Sequence, residues 1–145
     1  MDDKFGLERF VSAQDAGGTY SQALEELRRG NKQSHWMWFI FPQLAGLGQS
    51  TMSRTYAIIS LAQARAYLRH SVLGPRLLEC TGTVASLKDL TAQQVFGSVD
   101  AKKLHSSMTL FALADPQEEV FRRVLAQYFH GEPDPATDRL LHGQD

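Results

Sequence analysis

Two groups of side chains, far apart along the chain, have the types and spacing to do chemistry. The first is the run Ser34-His35-Trp36-Met37-Trp38-Phe39-Ile40-Phe41-Pro42, which sets one imidazole among two Trp, two Phe, a Met and an Ile. An imidazole titrates near neutrality, and an indole offers a flat face and one N–H. His35 beside Trp36 or Trp38 is therefore a candidate acid, base or hydrogen-bond donor next to a wall for a planar ligand. The same composition also describes the nucleus of a hydrophobic core, and both readings hold if alternate residues face core and cavity. The second group is Asp100, Lys103, Ser106 and Ser107. Spacings of three and four put Asp100, Lys103 and Ser107 on one helical face, with Ser106 beside them. A lysine of lowered pKa can activate a serine, given burial and an oxyanion hole. The plainer alternatives are that Asp100 caps a helix and that the two serines allow close packing. The candidate catalytic residues are thus His35, Asp100 and Lys103, and the candidate ligand-binding residues are Trp36, Trp38, Ser106 and Ser107.

Other clusters carry less. Arg28, Arg29 and Lys32 lead into the aromatic run, a juxtaposition that a single-stranded nucleic acid or a nucleotide phosphate can exploit. A solvated helix end is the stronger explanation, because Glu25 and Arg29 form an i,i+4 pair and terminal arginines complement a helix dipole. No HxxxH or HExxH spacing occurs among the five histidines, and Asp138 with His142 is the nearest approach to a metal pair. Cys80 stands alone in a run with helical spacing and reads as a small core residue. Gly46 and Gly48 supply only a fragment of a glycine-rich nucleotide loop.

The elements that must position these groups read as helices. Thr19 with Gln22, Ser60 with Gln63 and Thr91 with Gln94 each have the form of a capping box. Gly74-Pro75, Asp115-Pro116 and Asp134-Pro135 suggest further starts with proline at the first helical position. Apolar residues between these starts recur at three and four, while Gly30, Gly97 and Gly131 fall just past apolar stretches, where a left-handed helix end favours glycine. The prediction is about eight helices of about 8 to 15 residues. The segment 35–42 is the exception, either a short strand or a buried helical turn ended by Pro42.

A length of 145 residues, 43% hydrophobic and 21% charged, suffices for one domain, 1–145, burying about two-thirds of its unfolded surface. The longest apolar run, Trp36 to Phe41, is far short of the roughly 20 residues of a membrane-spanning helix. Fifteen basic and sixteen acidic residues leave a formal charge of -1, so no global field favours nucleic acid or an anionic membrane. One cysteine excludes an internal disulfide, and Met1-Asp2-Asp3-Lys4 lacks the apolar core of a secretory signal, which together point to the cytoplasm.

The aromatic run with Gln43 and Leu44, then Gly46-Leu47-Gly48 with Ser50, Ser53 and Tyr56, resembles the bacterial family called domain of unknown function 1810, or Rv1873-like. The likeness continues through Tyr67-Leu68, Leu73-Gly74-x-Arg76-Leu77, Phe96-Gly97-x-x-Asp100-x-x-Lys103-x-x-Ser106-Ser107-Met108-Thr109-Leu110-Phe111, and Gly131 with Asp134 and Thr137. Ser71 departs from the proline that usually follows the histidine there. The resemblance implies a mainly α, single-domain helical fold and brings no established activity. Members are sometimes labelled calpastatin, an inhibitor disordered when free, which does not fit a composition and capped helices of this kind. The resulting expectation is a cavity of His, Lys, Asp and Trp that binds a small polar metabolite or nucleotide derivative, with hydrolysis or transfer of that ligand left open. The alternatives are a protein-interaction module without chemistry and single-stranded nucleic-acid binding. No cofactor, membrane or nucleic-acid partner is expected, and the chain is read as a monomer or weak homodimer.

Overall fold

Helix caps decide where the chain turns in this computed structural model, which describes residues 3–143. Met1 and Asp2 of the N-terminal stretch read above lie outside the described residues. Nine α-helices are described: α1 (Glu8–Asp15), α2 (Thr19–Arg28), α3 (Met37–Ile40), α4 (Thr51–Thr55), α5 (Leu61–Arg69), α6 (Leu73–Ser86), α7 (Ala92–Ala114), α8 (Glu119–Phe129) and α9 (Pro135–His142). A 3-10 turn, Ala16–Gly18, joins the first two. The segment 35–42 yields the one-turn helix α3 rather than a strand, and among the described residues extended pairing is limited to one parallel bridge between Leu44 and Ile58.

Thr91 and Gln94 close a full capping box on α7. Ser60 caps α5 through the Gln63 N–H, but the Gln63 side chain instead takes the N–H of Ile59. Thr19 does not cap α2, because Gly18, in the left-handed region, precedes the helix and the Thr19 hydroxyl donates to the carbonyl of Ala16. Two of the three proline starts are displaced. His70 Nδ1 accepts the N–H groups of Val72 (3.1 Å) and Leu73 (3.3 Å), so α6 begins at Leu73 and Pro75 is its third residue. Pro116 lies in a turn before α8, whose N-cap is Glu118, whereas Asp134-Pro135 starts α9 as expected.

Gly97 ends one helical stretch, as its place after an apolar run suggests, and a second stretch begins directly after it. At φ 80 and ψ 164 it takes a conformation open to glycine, and α7 resumes at once, giving 23 residues in two segments. The second segment runs through the core against α5, α8 and α9, while α6 packs on α2, α5 and α8. Rings form a continuous line through this core: Phe10 meets Tyr67 edge-on at 5.2 Å between centroids, Tyr67 meets Phe111 at 5.5 Å, and Phe111 meets Phe121 at 5.8 Å. Each large apolar side chain removed from water contributes roughly 1.5–3 kcal/mol, which makes this line the main support of the fold. Trp36, Met37, Phe39, Ile40 and Phe41 are buried in it, whereas His35 is exposed and Trp38 half-buried. The aromatic run is thus mostly core, with two residues turned outward.

Candidate functional site

The site begins at the end of α2. Gly30 has φ +69, and a Cβ there would meet Leu90 Cδ1 at 2.6 Å, so glycine satisfies both the left-handed turn and the close approach. The chain then doubles back, and the N–H of Lys32 donates to the carbonyl of Val95 in α7 (2.8 Å). Glu26, buried near the end of α2, organises the loop that follows. Its Oε1 accepts from the N–H of Gln33 (2.8 Å), the N–H of Ser34 (2.9 Å) and Trp36 Nε1 (3.0 Å), and its Oε2 accepts from the Ser34 hydroxyl (2.6 Å). Burial alone would raise the pKa of this carboxyl, but the donors from Ser34, Gln33 and Trp36 outweigh it and hold the group down at about 2.

This loop delivers Lys32 to α7. Its side chain is only 7% exposed, and its Nζ lies 2.9 Å from Asp100 Oδ2 and donates to the carbonyl of Ser34. The same ammonium sits 4.8 Å from the centre of the Trp36 ring. Asp100 is the third residue after the Gly97 break. Its other oxygen, Oδ1, lies 3.6 Å from Lys103 Nζ, which in turn is 5.1 Å from the centre of the Trp38 ring. One carboxylate therefore joins two ammonium groups, each also resting on an indole, a favourable position for a cation.

Lys103 opens onto a groove of about 460 Å3 lined by Ser98, Val99, Lys102, Lys103 and Ser106 from α7. Gln43, Leu47 and Gly48 form a second wall, and Asp134 and Ala136 close the end at the start of α9. The second wall is pinned by the bridge at Leu44, where the Ala45 N–H donates to the Ile58 carbonyl (2.7 Å) and the Ile58 N–H to the Gln43 carbonyl (2.9 Å). Asp134 Oδ2 accepts from the Thr137 N–H (3.0 Å), the Thr137 hydroxyl (2.6 Å) and the Ser106 hydroxyl (3.2 Å). The start of α9 is thus tied to α7. Lys102 is exposed and forms no ion pair among the described residues.

Of the seven residues singled out by sequence, Asp100, Lys103 and Trp38 come together, and Ser106 joins them along the groove. The two distant regions do meet, but through Lys32 and Trp38. His35 is exposed, does not line the groove and makes no hydrogen bond among the described residues, because the loop turns it to solvent while Glu26 draws Ser34 and Trp36 inward. Trp36 is wholly buried with its N–H committed to Glu26, which leaves it no face for a ligand. Ser107 is buried on the core side of α7 and its hydroxyl has no partner among the described residues. Cys80 is buried and its thiol is pushed up to about 12 by burial, a core residue as the sequence suggested. Asp138 and His142 face each other at 3.6 Å on exposed α9, and Arg29 pairs with Glu25.

Lys32, Lys102, Ser98, Gln43 and Asp134 were not identified as site residues from sequence. Lys32 was weighed only with the basic helix end, since nothing in the local pattern reveals a partner 68 positions away, the interval from 32 to 100. Lys102 had a visible signal, as Ser98, Lys102 and Ser106 repeat at four and share a face.

Comparison with known proteins gives this geometry a family context. The family described as "Protein of unknown function (DUF1810)" matches residues 4–141. The chain belongs to this family. The crystal structure of the conserved hypothetical protein Rv1873 from Mycobacterium tuberculosis is similar at a TM-score of 0.93 and 49% sequence identity, covering 97% of this chain and 99% of that one. The mainly α fold is therefore shared with a solved, similar protein. No curated protein matches the chain. No helix among the described residues is long and apolar enough to cross a membrane.

Proposed function

We propose that this DUF1810 domain acts in the cytoplasm by binding a small metabolite that carries a phosphate or carboxylate group, held in the groove between α7 and the 43–48 loop. The observation that carries this reading is the pair Lys102 and Lys103 on one wall, with Lys103 fixed by Asp100 and Trp38 and Lys102 unpaired. An ammonium already held in place loses little freedom on binding an anion, and each charge-assisted contact is stronger than a neutral one. The Gln43 amide, Ser98 hydroxyl and Asp134 carboxylate supply further polar groups for the rest of a ligand. Stacking of a planar ring is not part of the reading, because Trp36 is buried and Lys103 lies over the Trp38 ring. Nor is acid or base catalysis by His35, which is outside the groove.

Titration calorimetry with inorganic phosphate and fructose 6-phosphate tests the proposal. Lys102→Ala and Lys103→Met should each weaken binding about tenfold, the loss expected for one charge-assisted contact. His35→Ala should leave affinity unchanged. Equal affinity in wild type and both lysine variants, or dependence on His35, would remove the groove as the binding site.

A further inference from the structure

The 43–48 loop borders more than the groove. A second depression, of about 240 Å3, lies on the other side of that loop and is lined by Arg9, Ala45, Gly46, Ser53, Arg54 and Ala57 among others. Gln43 and Gly48 line both. The two depressions therefore share one wall, with Lys102 and Lys103 lining one and Arg9 and Arg54 lining the other.

We infer that the two form one trough whose ligand carries two anionic groups, one at each end, joined by an uncharged polar middle that crosses Gln43 and Gly48. This rests on the groove reading above and extends it to the class of ligand. Three observations support it. No acidic side chain lines the second depression. Arg54 is exposed, and its guanidinium has neither an ion pair nor a hydrogen bond among the described residues, so its charge is available to a ligand. Arg9 adds positive charge without flexibility, because its guanidinium is spent on the carbonyls of Phe5, Gly6, Thr55 and Ala57 and is paired with no carboxylate among the described residues. That arrangement also anchors the end of α4 that presents Arg54.

The crossing point is equally specific. Gly48 lies so close to Ser53 that a Cβ would come within 2.4 Å of the Ser53 Cβ and Oγ, so the loop passes over α4 with bare backbone at the junction. The Gln43 side-chain amide makes no hydrogen bond to the described residues and offers a donor and an acceptor at the same place. A hydroxyl-bearing linker between two phosphates suits this surface.

Fructose 1,6-bisphosphate and fructose 6-phosphate serve as the paired probes, titrated at the same ionic strength into wild type, Arg54→Ala, Lys102→Ala and Lys103→Met. Wild type should bind the bisphosphate at least about tenfold more tightly, since the second phosphate engages at the high effective concentration set by the first. Arg54→Ala should erase that preference while leaving fructose 6-phosphate affinity unchanged. Equal affinities for the two probes in wild type, or a preference that survives Arg54→Ala, would overturn the trough and leave the groove standing if the lysine variants still weaken fructose 6-phosphate. Binding of neither probe would overturn both. Arg54 and Lys102 are exposed, so neither substitution threatens folding, and unchanged melting temperatures would confirm this.

Discussion

The two faces of the aromatic run are built from the same parts, a carboxylate, an indole and a lysine, and they end in opposite states. On the inner face Glu26 takes four donors from Gln33, Ser34 and Trp36, and the buried indole N–H is among them. On the outer face Asp100 is shared between Lys32 and Lys103, and the second ammonium is left facing a groove. Lys32 connects the two, since it touches both Trp36 and Asp100. The lesson is that saturation, not residue type, separates scaffold from site. A carboxylate that takes four donors from one loop holds that loop in place, while one that joins two cations leaves charge for a third partner.

The largest expected effect is on the saturated face. Glu26→Ala leaves the Trp36 N–H and two backbone N–H groups without acceptors, and should cost about 3 kcal/mol, or roughly 6–12 °C in Tm for a chain of this size. Glu26→Gln keeps an acceptor for the same donors and should cost about 1 kcal/mol. The pH arm follows from sign. The carboxyl sits at about 2 in the fold against an ordinary 4.5, so its stabilising effect is complete above about pH 4.5 and disappears as pH falls through about 2. Thermal melts between pH 7 and pH 2 should show a shallower acid limb in Glu26→Gln than in wild type. Parallel limbs would mean that Glu26 is not held as its donors require.

Lys32→Met tests the connection between the two faces and should cost about 2 kcal/mol, less than a fully buried pair because Asp100 retains Lys103 and some exposure. Combining it with Asp100→Asn should cost less than the two single changes together by about 1 kcal/mol, as measured by chemical denaturation. Strict additivity would mean that the faces are independent, and the groove would then owe nothing to the loop.

How much of this was readable in advance depends on distance along the chain. The capping box at Thr91 and Gln94 and the start at Asp134-Pro135 lie within four residues and appear as the spacing predicts. The start of α6 does not, because a histidine side chain took the role assigned to Pro75. Gly97 ends a helical stretch as a glycine past an apolar run suggests, but the next stretch starts at once, so what reads as a turn between helices is a kink of a single residue. In the site, Asp100 and Lys103 were legible as an i,i+3 pair. His35 was misplaced for the opposite reason: its neighbours' types suggested a cavity, but Glu26, nine positions upstream of it, decides which of them turn inward.

The smallest predicted effect sharpens the comparison from its other end. Ser107 is neither saturated nor exposed: its hydroxyl is buried in the core with no partner among the described residues, although the same hydroxyl one position earlier, on Ser106, reaches both Asp134 and the Lys102 carbonyl. A buried hydroxyl without a bond costs its desolvation and returns nothing, so Ser107→Ala should leave stability unchanged or raise it by up to about 1 kcal/mol. Ser106→Ala removes a bond that ties α7 to α9 and should lower it by about 1 kcal/mol. The two substitutions delete the same atom from adjacent residues of one helix, so helix propensity cancels and the difference reports hydrogen bonding alone. A loss at Ser107 equal to that at Ser106 would show that location, rather than saturation, sets the value of a polar group in this fold.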